Sequence, residues 1–252
     1  MKTAGSLEKD IPLYSPCRKL TSNAPFRWLK KGWQDFLRAP WHSLAYGAIF
    51  TAIGWLLAYL SWSYGFDLVV TLVITFLIVG CVLAFGLYDI SQQLELKHTP
   101  SFGHERSKAF HEMGHGLMFA LVLGLAFLVL LIIMSMVMGI GATFEQVAIS
   151  AAAPISDAAF FLAVVIFAGL LFCTSTFALP MIVDRDAMAM TAIITSLHAV
   201  WQNKSVITIW ALLILALMAV GVATALVGFL VIVPVIGYAT WHAYRETIIA
   251  EK

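Results

Sequence analysis

The stretch that decides the fold is residues 205–244, SVITIWALLILALMAVGVATALVGFLVIVPVIGYATWHAY, which contains no Asp, Glu, Lys or Arg. As a helix these 40 residues measure about 60 Å, twice the roughly 30 Å of hydrocarbon in a bilayer. We therefore divide the stretch into two spans, 205–222 and 225–244. The turn between them is expected at Gly221-Val222-Ala223-Thr224, because glycine tolerates the backbone angles of a tight reversal.

Four further stretches free of acidic and basic residues each have room for one span, since about 20 apolar residues cross the hydrocarbon. They lie between Arg38 and Asp67, Asp67 and Asp89, Glu112 and Glu145, and Asp157 and Asp184. They predict spans at 43–62, 67–88, 116–140 and 158–180. In all, the sequence predicts an all-α membrane protein with six transmembrane helices.

The composition of the whole chain agrees with a bilayer as its solvent. Of 252 residues, 61% are hydrophobic and 12% are charged, whereas an ordinary soluble domain has about 25% charged residues. A mean hydropathy of +0.91 excludes a disordered chain, and a net charge of +1 provides no general attraction for nucleic acid. The expected partners are the lipid bilayer and other membrane proteins, with no nucleic acid.

The basic residues predict the orientation of the spans. All fifteen Lys and Arg lie in four places: eight in the first 42 residues, three between Asp89 and His115, two from Asp184 to Lys204, and two after Tyr244. The alternate connections contain none, so the positive-inside rule places both termini in the cytoplasm. Residues 1–10 are polar and show no signal peptide, which favours a multi-pass protein of the bacterial inner membrane.

Each pair of spans follows a shorter segment with helical periodicity, which we interpret as a cytoplasmic interfacial amphipathic helix. The first has Phe26, Leu29, Trp33, Phe36 and Leu37 on one face and Arg27, Lys31 and Arg38 on another. The segment before the fifth span has Met190, Ile193, Ile194, Leu197, Val200 and Trp201 opposite Thr191, Thr195, His198 and Gln202. Residues 101–113 are a weaker version. The fold is thus predicted as three repeated hairpins, divided into a tail 1–24 and repeats 25–96, 97–183 and 184–252.

The sharpest chemical motif is His111-Glu112-Met113-Gly114-His115, which fits H-E-x-x-H. On a helix the two histidines can share a zinc ion, with Glu112 as general base. However, His115 opens its span as His42 and Lys204 open theirs, and no later acidic residue stands in a third-ligand motif. We therefore interpret His111 and His115 as interfacial residues, expect no zinc or other cofactor, and keep a zinc-dependent membrane hydrolase as an alternative.

The spans carry no charge at their centres, which argues against ion-coupled transport. Charged residues instead close each repeat: Asp89, then Asp184 with Arg185, then Arg245 with Glu246. In a threefold bundle these clusters have the logic of a gate or a structural clasp. A solvated charged flank is the simpler interpretation.

The same span ends carry a family resemblance. The motifs are Gly86-Leu87-Tyr88-Asp89-Ile90-Ser91 with Leu94-Glu95, then Leu179-Pro180-Met181-Ile182-Val183-Asp184-Arg185-Asp186, then Trp241-His242-Ala243-Tyr244-Arg245-Glu246. Over about residues 30–248 the chain resembles the bacterial integral-membrane family called domain of unknown function 2189. Some members of that family are labelled as cytochrome c oxidase components, so the resemblance implies a respiratory context but assigns no catalytic residue.

These observations predict a non-enzymatic inner-membrane protein that is an accessory, assembly or scaffolding subunit of a larger complex, with a respiratory oxidase as the complex that the resemblance suggests. Small residues that permit close helix approach are expected to form its partner interface: Gly47, Gly54, Gly80, Gly86, Gly124 and Gly169. The alternatives are a channel or facilitator for a small solute along a pseudo-threefold axis, and the zinc hydrolase.

Overall fold

The computed structural model describes residues 14–64, 68–99, 153–185 and 187–249. The regular secondary structure within these ranges is helical. Within these ranges the only β-pairing is an isolated bridge between Cys17 and Ile248. The all-α prediction is therefore confirmed for this part of the chain. The helices are α1 Ala24–Arg38, α2 Pro40–Tyr64, α3 Leu68–Glu95, α4 Ala153–Arg185, α5 Ala189–Gln202, α6 Lys204–Ala223 and α7 Phe229–Thr247.

Three segments of the described helices are long and apolar enough to cross a membrane: Pro40–Tyr64, Val165–Arg185 and Lys204–Ala223. They overlap the predicted spans 43–62, 158–180 and 205–222. Helices α3 and α7 occupy the positions of the predicted spans 67–88 and 225–244. The predicted span 116–140 and the weaker amphipathic segment 101–113 lie outside the described residues, so the six-span count and the threefold repeat stay predictions.

Helix α7 is the hub of the described helices, because it packs against α1, α2, α3, α4 and α6. Its second half contributes three aromatic side chains that are at most 1% exposed, Tyr238, Trp241 and Tyr244. The half that follows Pro234 is more polar than a typical span, since it also carries His242, Arg245 and Glu246. The polar groups of this half form the site described below.

Glycines set how closely the neighbours of α7 approach it. A Cβ on Gly32 of α1 would lie 2.6 Å from the carbonyl oxygen of Val235, and a Cβ on Gly47 of α2 would overlap the backbone of Leu230. Only a residue without a side chain fits at these contacts. Gly47 therefore belongs to internal packing, which corrects its assignment to a partner interface.

Two more glycines of the expected partner interface are internal as well. The Cβ position of Gly54 faces the side chain of Leu226, and that of Gly86 faces the ring of Tyr46. By contrast, none of the described residues lies within 4 Å of the Cβ positions of Gly80 and Gly169. Gly124 lies outside the described residues. The sequence indicated close approach correctly at the internal positions but did not show that the approaching helix comes from the same chain.

Helix α5 packs through its small and polar residues, while much of its apolar stripe points away from the protein. Ser196 Oγ donates to the carbonyl oxygen of Cys173 at 2.7 Å and accepts from the Phe177 amide at 3.2 Å, so it joins α5 to α4. Met190 and Trp201 are 68% and 79% exposed. Small residues at the contact permit close helix packing, which is how helices associate where lipid removes the usual hydrophobic drive.

The reversal between α6 and α7 lies a few residues later than predicted. Helix α6 continues through Gly221 to Ala223, and the left-handed backbone angles fall on Ala225 and Leu226, with φ of 50° and 68°. Gly221 instead makes room for the ring of Phe229. Gly221 therefore lacks a side chain because the helices pack closely there, and not because the chain turns there. The predicted turn was misplaced because it was assigned to this glycine.

The segment before α1 runs beside the end of α7. The amide of Arg18 donates to the carbonyl oxygen of Thr247 at 2.8 Å, and the amide of Ile249 donates to that of Pro16 at 3.0 Å. Residues 14–20, which we call the terminal strap, thus lie next to residues 247–249. Both groups of residues mark one end of the helices, which we call the termini face. The side of the membrane that it faces stays a prediction.

Asn203, the buried residue between α5 and α6, holds the strap in place. Its side-chain oxygen accepts from the Leu20 amide at 2.8 Å, and its side-chain nitrogen donates to the carbonyl oxygens of Arg18 and Ala199 at 3.0 and 3.1 Å. Nearer the start of the strap, the Ser15 amide donates to Thr195 Oγ1 at 3.1 Å. These bonds satisfy an irregular backbone that would otherwise lie against the helices without partners.

Candidate functional site at the termini face

Four carboxylates near the termini face accept hydrogen bonds from other helices: Asp35, Glu95, Asp184 and Glu246. They fall into three groups, which involve α1, α3, α4 and α7 in different combinations. The groups form the most polar region among the described residues, and we treat them as the candidate functional site.

The first group, which we call the Asp184 cluster, joins the ends of α3, α4 and α7. Asp184 Oδ2 accepts from the Tyr244 hydroxyl at 2.7 Å and lies 3.4 Å from a guanidinium nitrogen of Arg245. Arg245 also donates to Glu95 Oε1 at 3.1 Å, and Trp241 Nε1 donates to Glu95 Oε2 at 3.2 Å. Arg245 therefore lies between the two acids, Asp184 and Glu95, and each acid also accepts a hydrogen bond from an aromatic side chain.

Arg185 completes the Asp184 cluster from the end of α4. Its guanidinium lies 5.8 Å from the centroid of the Tyr244 ring and 3.5 Å from Asp184 Oδ2. A cation over an aromatic face is attracted by the electrons of the ring. Tyr244 is thus held by its hydroxyl and by its ring at the same time.

Electrostatics in the cluster keep Arg245 charged. Partial burial disfavours the charged guanidinium, but the hydrogen bond and charge of Glu95, together with the charge of Asp184, outweigh it and raise the pKa of Arg245 above its ordinary value. Arg245 therefore acts as a permanent cation between two acids.

The second group, the Asp35 group, is the most buried. The Asp35 side chain is 4% exposed, and its Oδ2 accepts from Ser91 Oγ and contacts His242 Nε2, each at 2.7 Å. Arg38 lies at the exposed edge, 3.6 Å from Oδ1. A buried carboxylate is tolerated only where such partners compensate for lost water. The group connects α1, α3 and α7 at a single carboxylate.

The third group ties the start of α1 to the end of α7. Glu246 pairs with Arg27 through Oε1 and accepts from Trp28 Nε1 through Oε2 at 2.9 Å. The Trp28 ring is fully buried and packs edge-on against Trp210 of α6, with ring centroids 5.7 Å apart. Glu246 therefore positions an aromatic residue of the largest core cluster among the described residues.

The structure brings some of the charged residues singled out in the sequence together and separates others. Asp184, Arg185 and Arg245 share one cluster, whereas Glu246 turns toward α1. Asp89 accepts from Gln93 Nε2, one turn further along α3, at 2.9 Å. The resulting arrangement has the form of a helix clasp, in which ion pairs join neighbouring helix ends.

The described residues show no metal site that involves the cysteines, and they do not include the zinc motif. His111, Glu112 and His115 lie outside these residues, so the expected absence of zinc stays a prediction and the zinc hydrolase stays its alternative. Among the residues that the structure covers, no group of three His, Cys, Asp or Glu side chains is placed to hold a metal ion. Cys17 and Cys173 are free thiols.

Sequence reasoning missed Asp35, Ser91, Glu95 and Trp28 as members of this network. Asp35 did carry a signal, because it is the only acid between Asp10 and Asp67 and lies in a strongly basic segment. A single acid in a basic segment is a candidate for a buried residue with a specific partner. The identity of that partner, His242, depended on tertiary packing.

The fold and this network define a helical integral membrane protein whose helix ends are clasped by ion pairs and aromatic hydrogen bonds. Residues 68–184 match the model of the family described as predicted integral membrane protein (DUF2189). The resemblance drawn from the span-end motifs is therefore confirmed over this range, which contains the first motif and most of the second; the third, at 241–246, lies beyond it. Neither the curated proteins nor the solved structures yielded a match.

Proposed function

We propose that the protein is a non-enzymatic accessory, assembly or scaffolding subunit of a larger complex in the bacterial inner membrane. The observation that carries the proposal is the use of its polar groups. Asp35, Glu95, Asp184 and Glu246 all bond to neighbouring helices, so the most polar region joins helix to helix rather than presenting reactive groups to a substrate. This is the chemistry of a scaffold.

The outward face of α4 supports a partner-binding role. Leu162, Val165, Ile166 and Leu170 are each at least 50% exposed and follow the three- and four-residue spacing of one helix face. Gly169 lies on the same stripe, and no described residue lies within 4 Å of its Cβ position. A glycine on an apolar face lets a second transmembrane helix approach closely.

The packing around α7 favours a scaffold over a channel. A solute path requires polar groups along a central cavity, whereas Trp28, Trp210 and Trp241 fill the space beside α7 and are fully buried. The channel alternative predicts solute flux into liposomes that contain only this protein. We expect those liposomes to be as tight as protein-free ones.

The test is co-purification. A chromosomally tagged protein, extracted in mild detergent at native expression, should bring down a defined set of membrane subunits that mass spectrometry identifies. Recovery of the lone polypeptide would overturn the proposal. An oxidase subunit in the set would support the respiratory context that the family resemblance suggests.

A pair of variants tests the α4 surface within the same experiment. Gly169→Leu fills the open position on α4 and should reduce partner recovery at least tenfold. Ala216→Leu adds bulk to an exposed position on α6 and serves as the matched control. Equal recovery from both variants would place the partner surface elsewhere.

A further inference from the structure

Helix α1 divides into three faces around its axis. One face packs inward and includes Trp28, Gly32, Asp35 and Phe36. A second face is apolar but exposed, with Phe26, Trp33 and Leu37 at 52%, 46% and 59% exposure. The third face is basic and exposed, formed by Arg27, Lys30, Lys31 and Arg38. At about 100° per residue the exposed apolar face lies between the other two.

The exposed charge of this region is entirely positive. Between residues 14 and 40 there are six basic residues, all exposed, and one acidic residue, Asp35, which is buried. Arg27 and Arg38 also contact Glu246 and Asp35. Lys30 and Lys31 are both exposed. Lys30 lies next to the exposed apolar face, and Lys31 lies at the opposite edge of the basic face.

The chain fixes the depth of α1 relative to the bilayer. Helix α1 ends at Arg38, and α2, a candidate membrane span, begins at Pro40 with only Ala39 between them. Gly32 anchors the middle of α1 against the backbone of α7. The exposed faces of α1 therefore lie at the level where a span enters the membrane.

We propose that the exposed apolar and basic faces of α1 together bind anionic phospholipid headgroups of the surrounding bilayer. Phe26, Trp33 and Leu37 enter the boundary between headgroups and acyl chains, and Lys30 and Lys31 contact the phosphates. Uncharged lipid can make favourable contacts only with the apolar face, and a soluble polyanion can do so only with the basic face. An anionic lipid surface matches both.

This lipid preference goes beyond the scaffolding role and does not depend on it. A protein that bound no partner subunit would still show the preference, and a scaffold without the preference would still co-purify with its partners. The two proposals therefore fail in different experiments.

The test measures the melting temperature of the full-length protein in detergent with added phosphatidylglycerol or phosphatidylcholine. Phosphatidylglycerol should raise the melting temperature by several degrees more than phosphatidylcholine, and high salt should reduce the difference. The Lys30→Gln/Lys31→Gln variant should lose most of the difference. The control Lys97→Gln/Lys204→Gln, which removes two exposed cations elsewhere, should retain it.

The unmodified protein alone can overturn the proposal, whatever the variants do. Equal stabilisation by the two lipids would exclude a preference for anionic headgroups. Equal stabilisation by inorganic phosphate or heparin would show a general anion site instead of a lipid surface. Equal loss in the two double variants would show that the preference does not reside on α1.

Discussion

His242 Nε2 lies 2.7 Å from Asp35 Oδ2, although 207 positions separate the two residues in the chain. This contact joins the last described helix to the first, and Ser91 of α3 binds the same carboxylate oxygen. Three helices thus meet at one buried atom, and the loss of any partner affects all three.

The His242→Phe variant should be strongly destabilised. It leaves the buried Asp35 carboxylate without one of its two close partners, and removing one member of a buried pair costs about 3 kcal/mol of unfolding free energy. Ser91→Ala removes a hydroxyl donor and should cost about 1 kcal/mol. Denaturant unfolding in detergent micelles measures both values.

A matched control for the histidine substitution is His198→Phe. The ring of His198 packs at a tilt against Tyr14 of the terminal strap, with ring centroids 4.2 Å apart, and the substitution keeps an aromatic ring there. Its effect should stay below about 1 kcal/mol. Equal destabilisation by the two histidine variants would contradict a special role for the Asp35 group.

Gly32→Ala should destabilise the packing of α1 on α7. The added Cβ would lie 2.6 Å from the Val235 carbonyl oxygen and 2.8 Å from the Ala239 amide nitrogen, so the helices must separate. Such overpacking costs about 1–3 kcal/mol. The unfolding free energy of the purified variant measures the cost.

Gly169→Ala is the control for Gly32→Ala, because both glycines lie inside helices and no described residue lies within 4 Å of the Gly169 Cβ position. Alanine is the better helix former by about 1 kcal/mol, so this variant should be as stable as the parent protein or slightly more so. A loss of stability at Gly169 that matches the loss at Gly32 would refute the packing argument.

The Cys17 thiol should react slowly at neutral pH. Burial raises its pKa to about 11, and only the thiolate is the nucleophile. In a variant with alanine at Cys81 and Cys173, the rate of iodoacetamide alkylation should rise steadily from pH 7 to pH 10. The same chain unfolded in denaturant should titrate at a lower pH.

The shifted pKa of Cys17 also predicts the sign of a stability change. The folded state binds the thiol proton more tightly than the unfolded state, so this contribution is complete below the unfolded pKa and is lost as pH rises toward 11. Replacing Cys17 with serine should flatten this part of the stability profile. A native thiol that reacts as fast as the unfolded one would contradict the burial argument.

The purified protein should contain no stoichiometric zinc. His115 has an architectural explanation at the start of a predicted span, and the sequence provides no recognisable third ligand for the 111–115 motif. Elemental analysis of protein purified without a histidine tag or chelator measures the metal content. One zinc per chain, lost in His111→Ala, would revive the hydrolase alternative.

Charge-free length predicts where helices form, but not which side of each helix packs. The gaps between acidic and basic residues located α2, α4 and α6 because a bilayer admits few other backbone arrangements. Gly47 and Gly169 are both glycines within apolar helices, yet Gly47 packs against another helix of the chain and Gly169 faces outward. The difference depends on which helices are neighbours, and that information is absent from local spacing.

The candidate site was predictable in kind and only partly in detail. Acidic and basic residues at the ends of α3, α4 and α7 were compatible with a clasp, although a solvated charged flank was the simpler interpretation of the sequence. Glu246 turned instead toward Arg27, and Asp35 became the most buried carboxylate of the site. Partner choice across more than 200 positions is a property of the tertiary fold, and hydropathy does not encode it.

The terminal strap has a consequence for the order of assembly. Residues 14–20 are synthesised well before their partners Thr195, Asn203 and Thr247. Since chains are made from the N-terminus, the strap gains its full set of hydrogen bonds only after α7 has been made. A chain that stops before α7 lacks the Thr247 carbonyl that accepts from the Arg18 amide, so the strap is fully bonded only in chains that contain α7.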